Sequence, residues 1–217
     1  MQYSKIAAEV LKVEANELLA CADRITESFD AAVNSIYATK GKLVIIGVGK
    51  SGLVGAKIAA TMASTGTPSF FIHPTEAMHG DLGMIGKEDS VLAISYSGES
   101  DELIAILPHL KRHEVSIIGM SSNDMSTLAS FSDIHLNIRV SKEACPLNAA
   151  PTSSTTLTMA IGDALAVALM EKRGFKQEDF AYFHPGGSLG KRLFVKVSDL
   201  MRKDNLPIVS CETILQD

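Results

Sequence analysis

The chain reads as α/β: a three-layer α-β-α sandwich around a five-stranded parallel sheet, doubly wound, with a long N-terminal helix in front. Two observations predict this. Five short, mainly apolar runs lie at 43–46, 69–72, 91–94, 115–118 and 134–138, and such runs mark strands buried on both faces. Helix-like segments separate them, and strands alternating with helices imply a parallel sheet with right-handed crossovers.

Each element has a local reason. Residues 1 to 40 hold no Gly or Pro, and apolar side chains recur at Ile6, Val10, Val13, Leu18, Cys21, Ile25, Phe29, Val33 and Ile36. That spacing predicts one long helix, or two bent together, stopped at Gly41. Its apolar stripe packs on its own sheet or forms a subunit contact, and the sequence leaves both open. Further helices are expected over 53–65, 101–113, briefly near 125–130, and from about 155 to 172. Pro108 should kink or shorten the helix that contains it. Three segments follow: a helical stretch 1–40, an α/β domain 41–195, and a tail 196–217 too short for a core of its own.

Composition excludes several classes. Hydrophobic residues make up 46% and charged residues 21% of 217, with a net charge of −5, so the chain is globular and lacks the basic excess of a nucleic-acid surface. Cys21, Cys145 and Cys211 show neither metal spacing nor a disulfide framework, which suits a reducing compartment. No signal peptide is visible in 1–9, and the apolar stretch 161–170 is short and contains Asp163. A cytoplasmic protein without a membrane partner is therefore expected.

In an open parallel sheet, ligands bind beyond the carboxyl ends of the strands. After the first strand comes Gly47-Val48-Gly49-Lys50-Ser51-Gly52. A dinucleotide site would also want an acid closing the second strand, which ends instead at His73-Pro74. A P-loop would need Gly where Val44 stands. What survives is a backbone turn close to a ligand, with Lys50 as a cation and Ser51 as a hydroxyl and helix cap. After the third strand comes Ser95-Tyr96-Ser97-Gly98-Glu99-Ser100. Hydroxyls crowded at a helix start suit a phosphate.

These two stretches resemble the sugar isomerase (SIS) domain. Ala77-Met78-His79-Gly80-Asp81-Leu82-Gly83-Met84, Lys142-Glu143-Ala144-Cys145-Pro146-Leu147, Ala150-Pro151-Thr152-Ser153-Ser154-Thr155 and His184-Pro185-Gly186-Gly187-Ser188-Leu189-Gly190 are similar to segments of its arabinose-5-phosphate isomerases. The resemblance covers about 40–201 and implies interconversion of D-ribulose 5-phosphate and D-arabinose 5-phosphate through an enediol. That step leads towards 3-deoxy-D-manno-octulosonate for lipopolysaccharide or capsule. It implies a flavodoxin-like sheet, a homo-oligomer (dimer or tetramer) with sites near subunit interfaces, and a tail that begins a CBS module.

Proton transfer between adjacent carbons needs neither a redox cofactor nor a metal, so none is expected. Lys50, Glu102, Glu143, His184 and His79 are the catalytic candidates. Gly49, Ser51, Ser95, Ser97, Gly98 and Ser100 are the candidates for phosphate binding. Lys50 would stabilise the enediolate oxygen or hold a hydroxyl, and His184 would move the ring-opening proton. His79 would open the ring, position a hydroxyl or make a structural contact. Glu102 opens a helix, whose dipole lowers its pKa. Glu143 is expected to lack such a helix, which favours it as the base, with Glu102 orienting hydroxyls or sharing the work. The alternatives are another SIS phosphosugar isomerase, or a sugar-phosphate-binding regulator without catalysis.

Overall fold

A computed structural model describes residues 2–186, 192–193 and 196–204. The chain divides into two compact units, the first ending at Phe175 and the second beginning at Lys176. That division falls ahead of the boundary expected at 195.

The first unit opens with α1 (Tyr3–Ala22) and α2 (Glu27–Ala38). The N-terminal stripe is thus two helices, broken at 23–26 without Gly or Pro. At the break Arg24 donates to the carbonyls of Ala20 and Arg139, at 3.1 and 2.7 Å. β1 (Leu43–Gly47), α3 (Gly49–Ser64), β2 (Ser69–Ile72), α4 (Pro74–Met78) and a 3-10 turn (Asp81–Met84) follow. Then come β3 (Ser90–Ile94), α5 (Asp101–Arg112), β4 (Ser116–Ser121), α6 (Thr127–Phe131), β5 (Ile134–Asn137) and α7 (Ser153–Arg173). α5 runs through Pro108 to Arg112, so the proline does not shorten it.

All strand pairs are parallel, in the order β2-β1-β3-β4-β5. Alternate strand residues face opposite sides. Leu43, Ile45, Leu92, Ile94, Ile118 and Met120 join a core with α1, α2, α3 and α7. Val44, Ile46, Val91, Ala93 and Ile117 join a second core with α4, α5 and α6. Two buried faces explain the unalternating strands and give the three expected layers. α7 is long and apolar enough by composition to cross a membrane, with half of its most apolar window buried in the fold.

The strand order reverses between β1 and β3, and such a reversal opens a crevice at the carboxyl ends. Both candidate motifs begin there.

α3 and α7 lie side by side and run in the same direction. Ile58 meets Gly162, and Lys57 pairs with Asp163. A Cβ at Gly162 would stand 2.5 Å from Ile58 Cδ1. Glycine therefore permits the close approach, and it sets the two helix N-termini next to one another.

The second unit contains α8 (Gln177–Phe183) and a short α9 (Val197–Leu200). Asp179 and Asp199 accept from the backbone N–H of Lys176 and Lys196, at 2.8 and 2.9 Å.

Candidate active site

The β1–α3 turn is built from glycines with distinct reasons. Gly49 has φ +57° and open space around it, so only its backbone conformation demands glycine. Gly52 packs under the turn, where a Cβ would stand 2.7 Å from the Gly47 carbonyl oxygen. α3 starts at once, with Val48 in the N-cap position. Ser51 therefore lies inside the first turn and does not cap the helix, contrary to expectation, because the chain turns helical two residues earlier.

Lys50 and Ser51 line a cavity of about 300 Å³. Val54 and Tyr96 border it, as do Ser141, Lys142 and Glu143 after β5, Asn148, and the first turn of α7 at Ser154 and Thr155. Two helix N-termini converge on this space. Their unpaired N–H groups and aligned dipoles make it electropositive before Lys50 is counted.

Glu143 occupies that positive end. Its Oε2 accepts from Thr152 N at 2.7 Å, Thr152 Oγ1 at 2.9 Å and Ser154 N at 3.3 Å. Burial pushes its carboxyl up, but the Ser154 and Thr152 donors outweigh that and hold it below the ordinary carboxylate value. The expectation that Glu143 has no helix start beside it is therefore wrong. The loop after β5 folds back, with Asn148 Oδ1 accepting from Glu143 N at 2.7 Å and Thr152 Oγ1 accepting from Ala144 N at 2.8 Å. Those bonds carry the carboxylate onto α7.

The serine turn lies next door, after β3. Ser95 Oγ contacts Ser100 Oγ at 2.8 Å and Ser97 Oγ at 3.5 Å, and accepts from Gly98 N at 3.1 Å. Ser97 Oγ accepts from Glu99 N at 3.2 Å. Gly98 has φ +74°, and a Cβ there would stand 2.3 Å from Ser126 Oγ. Ser100 is the N-cap of α5 yet makes no side-chain capping bond, because its hydroxyl turns to Ser95. Glu99 reaches across to accept from Thr127 N at 2.7 Å, and that bond holds its carboxyl below the ordinary value. The hydroxyl cluster and the cavity meet at Tyr96, whose OH accepts from Val140 N at 3.3 Å.

The structure thus gathers Lys50, Ser51 and Glu143 in one cavity, with Gly49, Ser95, Ser97, Gly98 and Ser100 on the adjoining turns. It does not bring Glu102 in: that side chain is exposed on the first turn of α5 and does not line the cavity. His79 is exposed at the end of α4, also outside the cavity lining. His184 belongs to the second unit, where it ends α8, stacks on Phe180 at 4.0 Å and places Nδ1 2.8 Å from the Phe180 carbonyl oxygen. Residues 187–190 of its motif lie outside the described residues, as does Cys211. Among the described residues no cluster of His, Cys, Asp or Glu is arranged to hold a metal.

Sequence reasoning missed Tyr96, Ser141 and Asn148, and also Glu17 of α1, whose carboxylate accepts from Ser141 N at 2.8 Å. A signal existed for Glu17, a carboxylate in register with Val13 and Cys21 on a helix stripe. None existed for Asn148, whose left-handed backbone (φ +50°) follows from the loop closing on itself.

Comparison with known proteins identifies close relatives. The family model described as SIS domain matches residues 36–168. A Yersinia pestis protein named arabinose 5-phosphate isomerase KdsD is 52% identical over 218 residues, covering 100% of this chain and 66% of its own length. A Haemophilus influenzae protein named probable arabinose 5-phosphate isomerase is 52% identical over 217 residues, covering 100% of this chain and 64% of its own. The chain thus spans just under two thirds of the length of these curated relatives. An Escherichia coli CFT073 structure described as a complex with arabinose 5-phosphate is 41% identical with a TM-score of 0.82, covering 85% of this chain and 100% of that one.

Proposed function

Since the chain belongs to the SIS domain family, we propose that it is an aldose–ketose isomerase interconverting D-ribulose 5-phosphate and D-arabinose 5-phosphate. One observation carries the reading: Lys50 and Glu143 share a cavity between two helix N-termini, beside a hydroxyl-lined turn at the sheet's switch point. The names of the relatives, and the sugar-phosphate complex of the Escherichia coli neighbour, support the same substrate.

The chemistry divides among the residues. Ser95, Ser97 and Ser100, with the first N–H groups of α5, take the phosphate without adding charge of their own. Gly49 and Gly98 let the backbone come close to the phosphate, and Ser51 adds a further hydroxyl donor to it. A base then moves the proton between C1 and C2, and Lys50 stabilises the oxyanion that develops. The preference for Glu143 as base no longer rests on pKa, since its helix lowers it. It rests on place: Glu143 faces the cavity with Lys50, while Glu102 does not line it. A carboxylate below its ordinary pKa is a weaker base but is ionised at neutral pH, so it is always ready to accept. Glu102, His79 and His184 do not line this cavity; their proposed roles, orienting hydroxyls, positioning the sugar and moving the ring-opening proton, belong to sites completed near subunit interfaces. In this reading the enzyme is a cytoplasmic homo-oligomer, a dimer or tetramer with sites near subunit interfaces. Its product leads to 3-deoxy-D-manno-octulosonate for lipopolysaccharide or capsule.

The test is direct. The protein is incubated with arabinose 5-phosphate, without nucleotide or added metal, and ketopentose phosphate is measured. No conversion overturns the proposal. Glu143→Gln should lower turnover by about 10²–10⁴, and near-normal turnover would move the base to Glu102.

A further inference from the structure

We propose that Glu17, on the N-terminal helix, is a positioning residue for this reaction: it clamps the segment that carries Glu143 into the cavity. The inference rests on the isomerase reading above. Glu17 lies on the buried side of α1, one turn from Val13 and one from Cys21, and is only 5% exposed. Its carboxylate accepts from Ser141 N at 2.8 Å and from the Ser141 hydroxyl. Burial pushes its carboxyl up, but the Ser141 donors, the Lys142 N–H and the charge of Arg24 outweigh that and keep it low, so the group is buried and ionised.

Two facts turn this from packing into placement. Ser141, Lys142 and Glu143 are consecutive, and all three line the cavity. The segment from Val140 to Thr152 contains neither helix nor strand, so little regular structure fixes it. The other described side-chain bonds to its backbone come from Tyr96, 44 positions away, at one end, and from Glu143, Cys145, Asn148, Thr152 and Thr155 in or next to the loop. Among the described residues, Glu17 reaches it from farthest along the chain, across 124 positions of sequence. An apolar side chain of similar volume at a buried site is usually as stabilising as a buried charge, or more so. A carboxylate there is better explained by what it holds.

The experiment uses the full chain with Glu17→Leu, which keeps the volume, and Glu17→Gln, which keeps an acceptor. Turnover and KM on arabinose 5-phosphate, Tm, and deuterium uptake over 139–150 are measured. Glu17→Leu should lower kcat by about ten- to a hundredfold, since small misplacements of a catalytic group cost on that scale. Its KM should stay within about threefold, with faster uptake in 139–150 alone, and Glu17→Gln should recover most of the loss. A wild-type kcat per folded molecule in Glu17→Leu overturns the inference, as does a Gln variant no better than Leu. Should Glu17→Leu fail to fold, Glu17→Met, which likewise keeps the volume and removes the acceptor, takes its place: unaltered uptake over 139–150 together with unaltered kcat in that variant overturns it. If the wild type itself leaves the sugar phosphate unchanged, the isomerase reading falls. The uptake comparison then still decides whether Glu17 holds the segment.

Discussion

Removing the Glu143 carboxylate should destabilise the fold as well as the chemistry, and the two effects separate by pH. In Glu143→Ala the first turn of α7 loses an acceptor for Thr152 N, Thr152 Oγ1 and Ser154 N. Losing a side-chain acceptor at a helix start costs about 0.5–2 kcal/mol. Losing a negative charge there costs a further 0.3–1 kcal/mol or so. Glu143 is half-buried, so solvent screens part of this, and about 1–2 kcal/mol is the expected total. For a chain of this size that lowers Tm by roughly 2–8 °C. The sign of the pH dependence follows from the depressed carboxyl. Its stabilisation is fully present above the unfolded pKa of about 4.3 and is lost as pH falls through the lower folded value. Thermal melts of wild type and Glu143→Ala should therefore differ at pH 7 and converge between about pH 5 and pH 2. Equal Tm at pH 7 would refute the capping role, and so would a gap that persists in acid.

Three further outcomes are expected. Ser97→Ala should raise KM for the sugar phosphate with Tm nearly unchanged, since Ser97 is exposed; steady-state kinetics check it, and an unchanged KM tells against the phosphate site. Gly98→Ala forces alanine to φ +74° and sets its Cβ against Ser126, for roughly 1–2 kcal/mol of backbone strain and about 1–3 kcal/mol of crowding. Melts should show the loss and kinetics a higher KM. Gly162→Ala gains up to about 1 kcal/mol of helix propensity but overpacks against Ile58 by about 1–3 kcal/mol, spreading α3 from α7 and lowering kcat. Adding Ile58→Val removes Cδ1, one of the atoms in the way, and should recover part of both; no recovery would place the effect elsewhere.

Much of the sheet was legible because burial on both faces leaves so simple a mark. Leu43 to Ile46 and Val91 to Ile94 are apolar at every position, since each alternate residue meets a core of its own. The gap between α1 and α2 left no such mark: Arg24 bonds a carbonyl 115 residues away, and no local pattern reports that. The site divides along the same line. Lys50 and the serines follow strands directly, so their place is set by the strand ends. Glu143 sits on a loop whose path depends on Asn148 and Thr152 closing back on it, and the helix start beside it could not be read from its neighbours in sequence. Glu102 shows the converse. A carboxylate in the first turn of α5 is easily found, but the direction in which an exposed side chain points is not.

The contact of Gly162 with Ile58 also bears on how such a chain can acquire new substrates. One wall of the chamber is set by the distance between two backbones, which a side-chain exchange can widen only by overpacking the seam. Longer or branched sugars are better admitted where Ala149 and Pro151 line the cavity, on a loop outside both cores. Libraries aimed at altered selectivity should vary that loop and leave the helix seam untouched.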